Sequence, residues 1–158
     1  SIPGVKFPDE ELYTVQKALA KLSWPRINFR KEIISLTSSR YVISIQVPPG
    51  KKRPYFFRLS RRKKCCLIRH ADKSINASQE VQQIIHLRSK QKDVQFTYGE
   101  HEQKLFRHLD KSRFITLSEF ITLSGLNSHR ASWILVQLVL ANILKIEPHE
   151  KGDHYSVY

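Results

Sequence analysis

The stretch FITLSEFITLSGLNSHRASWILVQLVLANILKIE, residues 114–147, decides how the second half of this chain folds. Thr116 and Glu119 have the spacing of a capping box, in which each side chain satisfies the other's free backbone N–H. They stand just ahead of the apolar set Leu117, Phe120, Ile121 and Leu123. Gly125 supplies the left-handed backbone that ends a helix, and Asn127 or Ser128 can cap the next one. That next helix has an apolar stripe at Ala131, Ile134, Leu135, Leu138 and Val139. Trp133, Val136 and Leu140 lie off the stripe, so the helix is apolar nearly all round, the pattern of a helix covered on two sides.

Outward from this stretch, Glu100–Asp110 reads as a helix with Leu105, Phe106 and Leu109 on one side, and Arg113–Ile115 as a short strand. Downstream, Ile143–Glu147 and His154–Tyr158 read as two strands around a His149–Asp153 turn. Helix, strand, helix, turn, helix, hairpin is the order of a winged helix-turn-helix, predicted here over residues 93–158. In that fold the N-terminal residues of the third helix reach base edges. Those would be Asn127, Ser128, His129, Arg130, Ser132, Trp133 and Gln137, of which Arg130 and Gln137 suit guanine and adenine edges. Residues 99–158 hold seven Lys and Arg against seven Asp and Glu, so the usual cationic footprint is missing there. The all-round apolar helix equally suits protein contact, as a homodimer or by docking on the first part of the chain.

The positive charge lies in that first part. Residues 1–98 hold 20 Lys and Arg against 7 Asp and Glu, which accounts for the whole net charge of +13. It peaks in VPPGKKRPYFFRLSRRKKCCLIR, residues 47–69, which contains no acid. Pro54–Leu59 and Cys65–Arg69 have strand character, and the polar run between them predicts a hairpin with a cationic tip. Cations this dense repel one another and are best neutralised by a polyanion, double-stranded DNA being the expected one. The phosphate holders would be Lys51, Lys52, Arg53, Arg58, Arg61, Arg62, Lys63 and Lys64. A solvated loop whose lysines guard an edge strand is the plainer alternative. Tyr55, Phe56 and Phe57 could stack on unpaired bases, although strand alternation turns at least two of them toward a core.

The remaining elements complete an α+β reading. Pro8–Leu22 has acids in its first turn and Leu12, Val15, Leu19 and Leu22 at helical spacing, until Trp24-Pro25 stops it. INFRKEIISL and YVISIQV flank a turn at Thr37–Arg40. With the basic hairpin they predict an antiparallel meander of about four strands. His70–Ala77 reads as a polar loop, and Ser78 as the cap of a helix that turns Val81, Ile84 and Ile85 inward. The shift in charge and grammar places a domain boundary near residue 92, separating a basic α+β unit, 1–92, from the winged unit, 93–158.

No apolar run approaches the roughly 18 residues of a membrane span, and the N-terminus lacks signal-peptide order. Cys65 and Cys66 are adjacent and badly placed to bond to each other, which suits free thiols in a reducing cytoplasm. There is no Gly-rich phosphate loop, nucleophile elbow or metal-ligand spacing. The seven His are scattered; His101 and His108 stand two turns apart, and His70 near Asp72 is the only tempting pair. Neither an enzyme, a cofactor nor a metal site is expected.

The segments VISIQVPPGKKRPYFFRL and CCLIRHADKSINASQEVQQII resemble the C-terminal half of the Schlafen/Alba-type DNA-binding domain, found in bacterial regulators that commonly carry a winged helix downstream. The matching positions are Val47-Pro48-Pro49, Arg53-Pro54-Tyr55, Ile68-Arg69, Ala71–Ser74, and Ala77-Ser78 with Glu80. The resemblance covers residues 40–86 well and the first helix loosely. It implies a transcription-regulator module beginning midway through the domain, without the N-terminal portion that carries carboxylates in RNA-cleaving relatives. Ala71 stands where the family usually has Gly, which implies a differently shaped turn.

Overall fold

The computed structural model describes residues 3–60, 63–90 and 97–158. Among them are five helices and nine short strands in four small antiparallel sheets, an α+β architecture. The chain divides into two compact units, residues 1–65 and 66–158.

In the first unit, helix α1 (Pro8–Leu22) carries Asp9, Glu10 and Glu11 at its start and buries Leu12. It runs into strand β1 (Ser23–Trp24), and the Ser23 hydroxyl donates to the Leu19 carbonyl at 2.6 Å. Strands β2 (Arg30–Thr37) and β3 (Arg40–Gln46) form a hairpin around Ser38-Ser39, with Ile33 opposite Ile43 and Ile34 opposite Val42. Strand β4 (Phe56–Arg58) lies between β1 and β5 (Lys64–Cys65) in a three-stranded sheet. The strands expected to make one meander therefore fall into two sheets. Pro48, Pro49 and Pro54 have no N–H to give to a ladder, and they occupy the connection from β3 to β4.

The basic hairpin is shorter than expected. Among the described residues, only Phe57–Cys65 and Arg58–Lys64 are paired on its ladder, and the Leu59 N–H donates to the Lys63 carbonyl at 2.9 Å. The chain beyond Cys65 does not continue that ladder. It enters strand β6 (Leu67–His70), which pairs with β7 (Lys73–Asn76) in the second unit. The segment read as a polar loop is thus a strand, and burial of Ile75 at 6 % exposure is the reason. One apolar residue among Lys73, Ser74 and Asn76 was enough, because the hairpin places it inward. The two-residue turn puts Ala71 at φ +48°.

The second unit holds the larger core. Helix α2 (Gln79–Ser89) is capped by Ser78, whose hydroxyl accepts from the Val81 N–H at 3.1 Å. Helices α3 (Glu100–Leu109), α4 (Leu117–Ser124) and α5 (Ser128–Leu140) follow. The final hairpin is β8 (Leu144–Glu147) with β9 (His154–Val157). The strand expected at Arg113–Ile115 is a single bridge, in which Ile115 and Tyr155 exchange both backbone hydrogen bonds at 2.9 and 2.8 Å. Phe120, Ile115, Leu105, Leu135, Leu144 and Tyr155 are fully buried around it, and Ile84 joins them from α2. The compact units divide before β6, and α2 packs on α5 within the second. Charge changes near residue 98; packing changes near residue 66.

Candidate nucleic-acid interface

Division at Cys65 sharpens the charge asymmetry. Residues 1–65 hold 15 Lys and Arg against 4 Asp and Glu, a net of +11, whereas residues 66–158 hold 12 against 10, a net of +2. Among the described residues, no carboxylate lies within ion-pair distance of Lys51, Lys52, Arg58, Lys63 or Lys64. Arg53 donates to the Gly50 carbonyl at 2.9 Å, which bends the Lys51-Lys52 loop back on itself. A Cβ at Gly50 would meet the Tyr55 hydroxyl and ring edge, so a larger residue there would have to displace that side chain. Arg61 and Arg62 lie outside the described residues.

Three clefts open on the first unit, and each is walled by cations without a carboxylate. One, of about 640 Å³, runs along α1 and includes Lys17, Arg26 and Lys31. A second, also about 640 Å³, is formed by Pro25–Asn28 and the 47–52 loop, with Arg26, Lys51 and Lys52 on its walls. The third, about 170 Å³, holds Lys21, Arg58 and Lys64 around Trp24 and Phe56. Tyr55, Phe56 and Phe57 are all half-buried, which leaves Trp24, 64 % exposed, as the open aromatic of the sheet.

Sequence reasoning took Trp24 only as the end of a helix. The signal was legible nearby: Leu12–Lys31 contains Lys17, Lys21, Arg26, Arg30 and Lys31 and no acid. A Trp offers up to roughly 250 Å² for burial. Leaving most of it open forgoes about 3–4 kcal/mol at ~25 cal/mol/Å².

The second unit presents α5. Asn127 caps it by accepting from the Arg130 N–H at 2.9 Å, and Asn127 to Arg130 are all exposed. Arg130, Trp133 and Gln137 share one helix face by their spacing. Arg130 is exposed, Trp133 is 39 % exposed, and Gln137 is half-buried and engaged. Of the apolar residues off the stripe, Val136 is met inside the unit and Leu140 is half-buried, whereas Trp133 stays open. Val136 is fully buried, the Ser132 hydroxyl donates to Glu80 of α2 at 2.6 Å, and Arg88 of α2 donates to the Val139 carbonyl at 3.2 Å.

A fourth cleft, about 540 Å³, lies between the β6–β7 turn and the β8–β9 turn. It mixes Lys73 and Lys151 with Asp72 and Glu150, so it has no single-sign field. Phe114, His154, His149 and His70 form a run of rings, with successive centroids 3.7, 4.1 and 5.8 Å apart. His70 is paired with Glu147 at 3.7 Å, in place of the Asp72 contact its sequence position suggested. Among the described residues there is no group of three or more His, Cys, Asp or Glu able to hold a metal. No described helix is long and apolar enough to cross a membrane. No family model, curated protein or solved structure matches the chain.

Proposed function

We propose that this chain is the DNA-binding module of a transcription regulator, with phosphate contacts from the first unit and base reading from α5 of a winged helix-turn-helix. The observation that carries the reading is the set of three clefts in the first unit, all walled by Lys and Arg with no carboxylate. Neutralising phosphates releases condensed counterions, and that release drives sequence-independent binding. The order α3, Ile115 bridge, α4, α5 and β8–β9 hairpin supports the winged helix. The positions resembling the Schlafen/Alba-type domain support the regulator assignment. No catalytic step forms part of this reading.

The test is a salt titration of duplex binding by the whole chain. Log affinity should fall linearly with log salt, with a slope of about −4 or steeper if five or more phosphates are held at roughly 0.9 each. Arg61→Ala with Arg62→Ala should shrink the slope by about 1 for each phosphate no longer held, on every sequence. Arg130→Ala should instead cost about 1–3 kcal/mol on a preferred sequence alone. A flat salt response would sink the proposal.

A second reading, assembly, is favoured by β2. Every residue of that strand is exposed, including Ile33, Ile34 and Leu36, and its outer edge has no partner among the described strands. Open apolar edges recruit other chains. Under this reading, sedimentation would show dimers that Ile34→Lys disperses, with no salt-dependent DNA binding.

A further inference from the structure

We propose that Trp24 is the stacking platform for one unpaired nucleobase, with Lys21, Arg58 and Lys64 holding the phosphates on either side of it. This rests on the nucleic-acid reading above and extends it from phosphates to bases.

Trp24 is held in place, although it is open. Its backbone pairs with Phe56 across β1 and β4, and Ser23 beside it pairs with Phe57. The Trp24 and Phe56 rings lie 6.1 Å apart at 31°, so Phe56 backs the indole. Lys64 Nζ stands 5.8 Å from the indole centroid, close enough for a cation–π contact. The ring is thus braced by a second ring and a cation while remaining 64 % exposed. A side chain left open but immobilised loses little entropy when a ligand covers it.

The cleft's chemistry selects among ligands. It combines an aromatic ring that is largely exposed with three cations, and no acid lines it. An apolar protein surface would leave the three charges desolvated and unpaired, at a cost. An acidic peptide or a lipid headgroup would answer the charges but offer no flat ring. A single nucleic-acid strand offers both at once, planar bases alternating with phosphates. The cleft volume of about 170 Å³ equals the room of five or six waters at roughly 30 Å³ each, enough for one ring inserted edge-first. A base inside a duplex has both faces stacked on its neighbours, so the site requires an unpaired one.

Single-stranded DNA and RNA share this chemistry, and the experiment separates them. In the full chain with Trp133→Phe, indole emission reports Trp24 alone, since the chain has two Trp. Four probes are titrated: a 12-residue oligodeoxythymidine, a 12-residue oligouridine, an abasic deoxyribose-phosphate strand of equal length, and a hairpin duplex. The expected result is quenching by the oligothymidine or the oligouridine, with affinity at least 5-fold above the abasic strand. The tighter of the two identifies the sugar. Trp24→Ala leaves no indole in that chain, so it is read by anisotropy of end-labelled strands; it should lower affinity for that strand by about 5- to 150-fold, the range of one lost base–aromatic stack. It should leave the abasic strand within about 2-fold, and Trp24→Phe should keep most of the base preference. Equal binding of thymidine, uridine and abasic strands by a chain with Trp24 intact overturns the stacking site and leaves the phosphate reading standing. This comparison needs no variant at position 24, so it holds even if Trp24→Ala misfolds. Undetectable or salt-insensitive binding of all four probes overturns the phosphate reading and the stacking site together.

Discussion

Replacing both Arg58 and Lys64 with Gln separates binding from folding. The two side chains are direct cross-strand partners on β4 and β5, and both are exposed. Like charges facing each other across a strand pair destabilise it by roughly 0.2–1 kcal/mol, which the substitution relieves. It also removes the Lys64 contact over Trp24, worth about 0.5 kcal/mol at an exposed site. These effects oppose one another, so folding stability should stay within about 0.5 kcal/mol of the unaltered chain. Binding has no such offset. Each phosphate held adds roughly 0.9 to the salt slope, which at about 0.15 M salt amounts to some 0.7 log units of affinity, or ~1 kcal/mol. With both cations gone, duplex binding should weaken about 30-fold and the slope should flatten by nearly 2. Fluorescence anisotropy with a labelled duplex at several salt concentrations, paired with urea melts, reads both quantities. The conservative pair Arg58→Lys and Lys64→Arg should restore the slope. Affinity within twofold of the original would refute the phosphate role of this sheet. A stability loss above about 1 kcal/mol would refute the claim that the charges stand apart from the fold.

Three further outcomes test other parts of the structure. Ala71→Gly should stabilise the second unit by about 1 kcal/mol, since left-handed backbone costs an L-residue roughly 1–2 kcal/mol that Gly avoids; calorimetry should show a raised Tm. The Glu119 carboxyl is held below its ordinary value of 4.5 by the Thr116 N–H and hydroxyl. A depressed folded value gives stability that is present above the unfolded one and lost as pH falls through the folded one. Glu119→Gln keeps a capping-box acceptor but loses the charge, so at this exposed site it should cost a few tenths of a kcal/mol at neutral pH, a deficit that urea midpoints should show vanishing in acid below the carboxylate range. Burial pushes the Tyr155 hydroxyl well above its ordinary value, and among the described residues its oxygen has no hydrogen-bond partner. Tyr155→Phe should accordingly be neutral or stabilising by about 1 kcal/mol in the same melts, because a buried unsatisfied hydroxyl is removed.

What the sequence disclosed was local. The Thr116–Glu119 box, the Gly125 stop and the Asn127 cap all stand where their residues predict, because each is settled within four positions of the chain. Strand β7 was hidden because a single buried Ile75 among polar neighbours carries no period, and only its pairing with Ile68 gives it one. Charge shifts near residue 98 and the compact units divide near residue 66 because charge reports on solvent and partners, while compactness follows packing such as that of α2 against α5. Of the expected phosphate holders, Lys51 and Lys52 share one cleft wall, Arg58 and Lys64 share another, and Lys63 closes the hairpin tip. Trp24 was overlooked because its partner Phe56 lies 32 positions away, a separation that no window of local sequence spans.

The two cysteines give this chain a property unrelated to binding. Cys65 is 5 % exposed and closes the first unit; Cys66 is 2 % exposed and opens the second. Cys65 is fixed by its pairing with Phe57, and the Cys66 carbonyl accepts from the Ala77 N–H at 2.7 Å. An alkylating reagent can reach either sulfur only after the structure covering it has opened. Fragment-ion mass spectrometry distinguishes the two adjacent adducts, so one labelling time course yields two opening rates. Among the described residues, the first unit buries Leu12 and Cys65, and the second encloses a dozen clustered residues. Neighbours in sequence, the two thiols should age at rates set by the pairing that holds each, the β4–β5 ladder for Cys65 and the Ala77 hydrogen bond for Cys66.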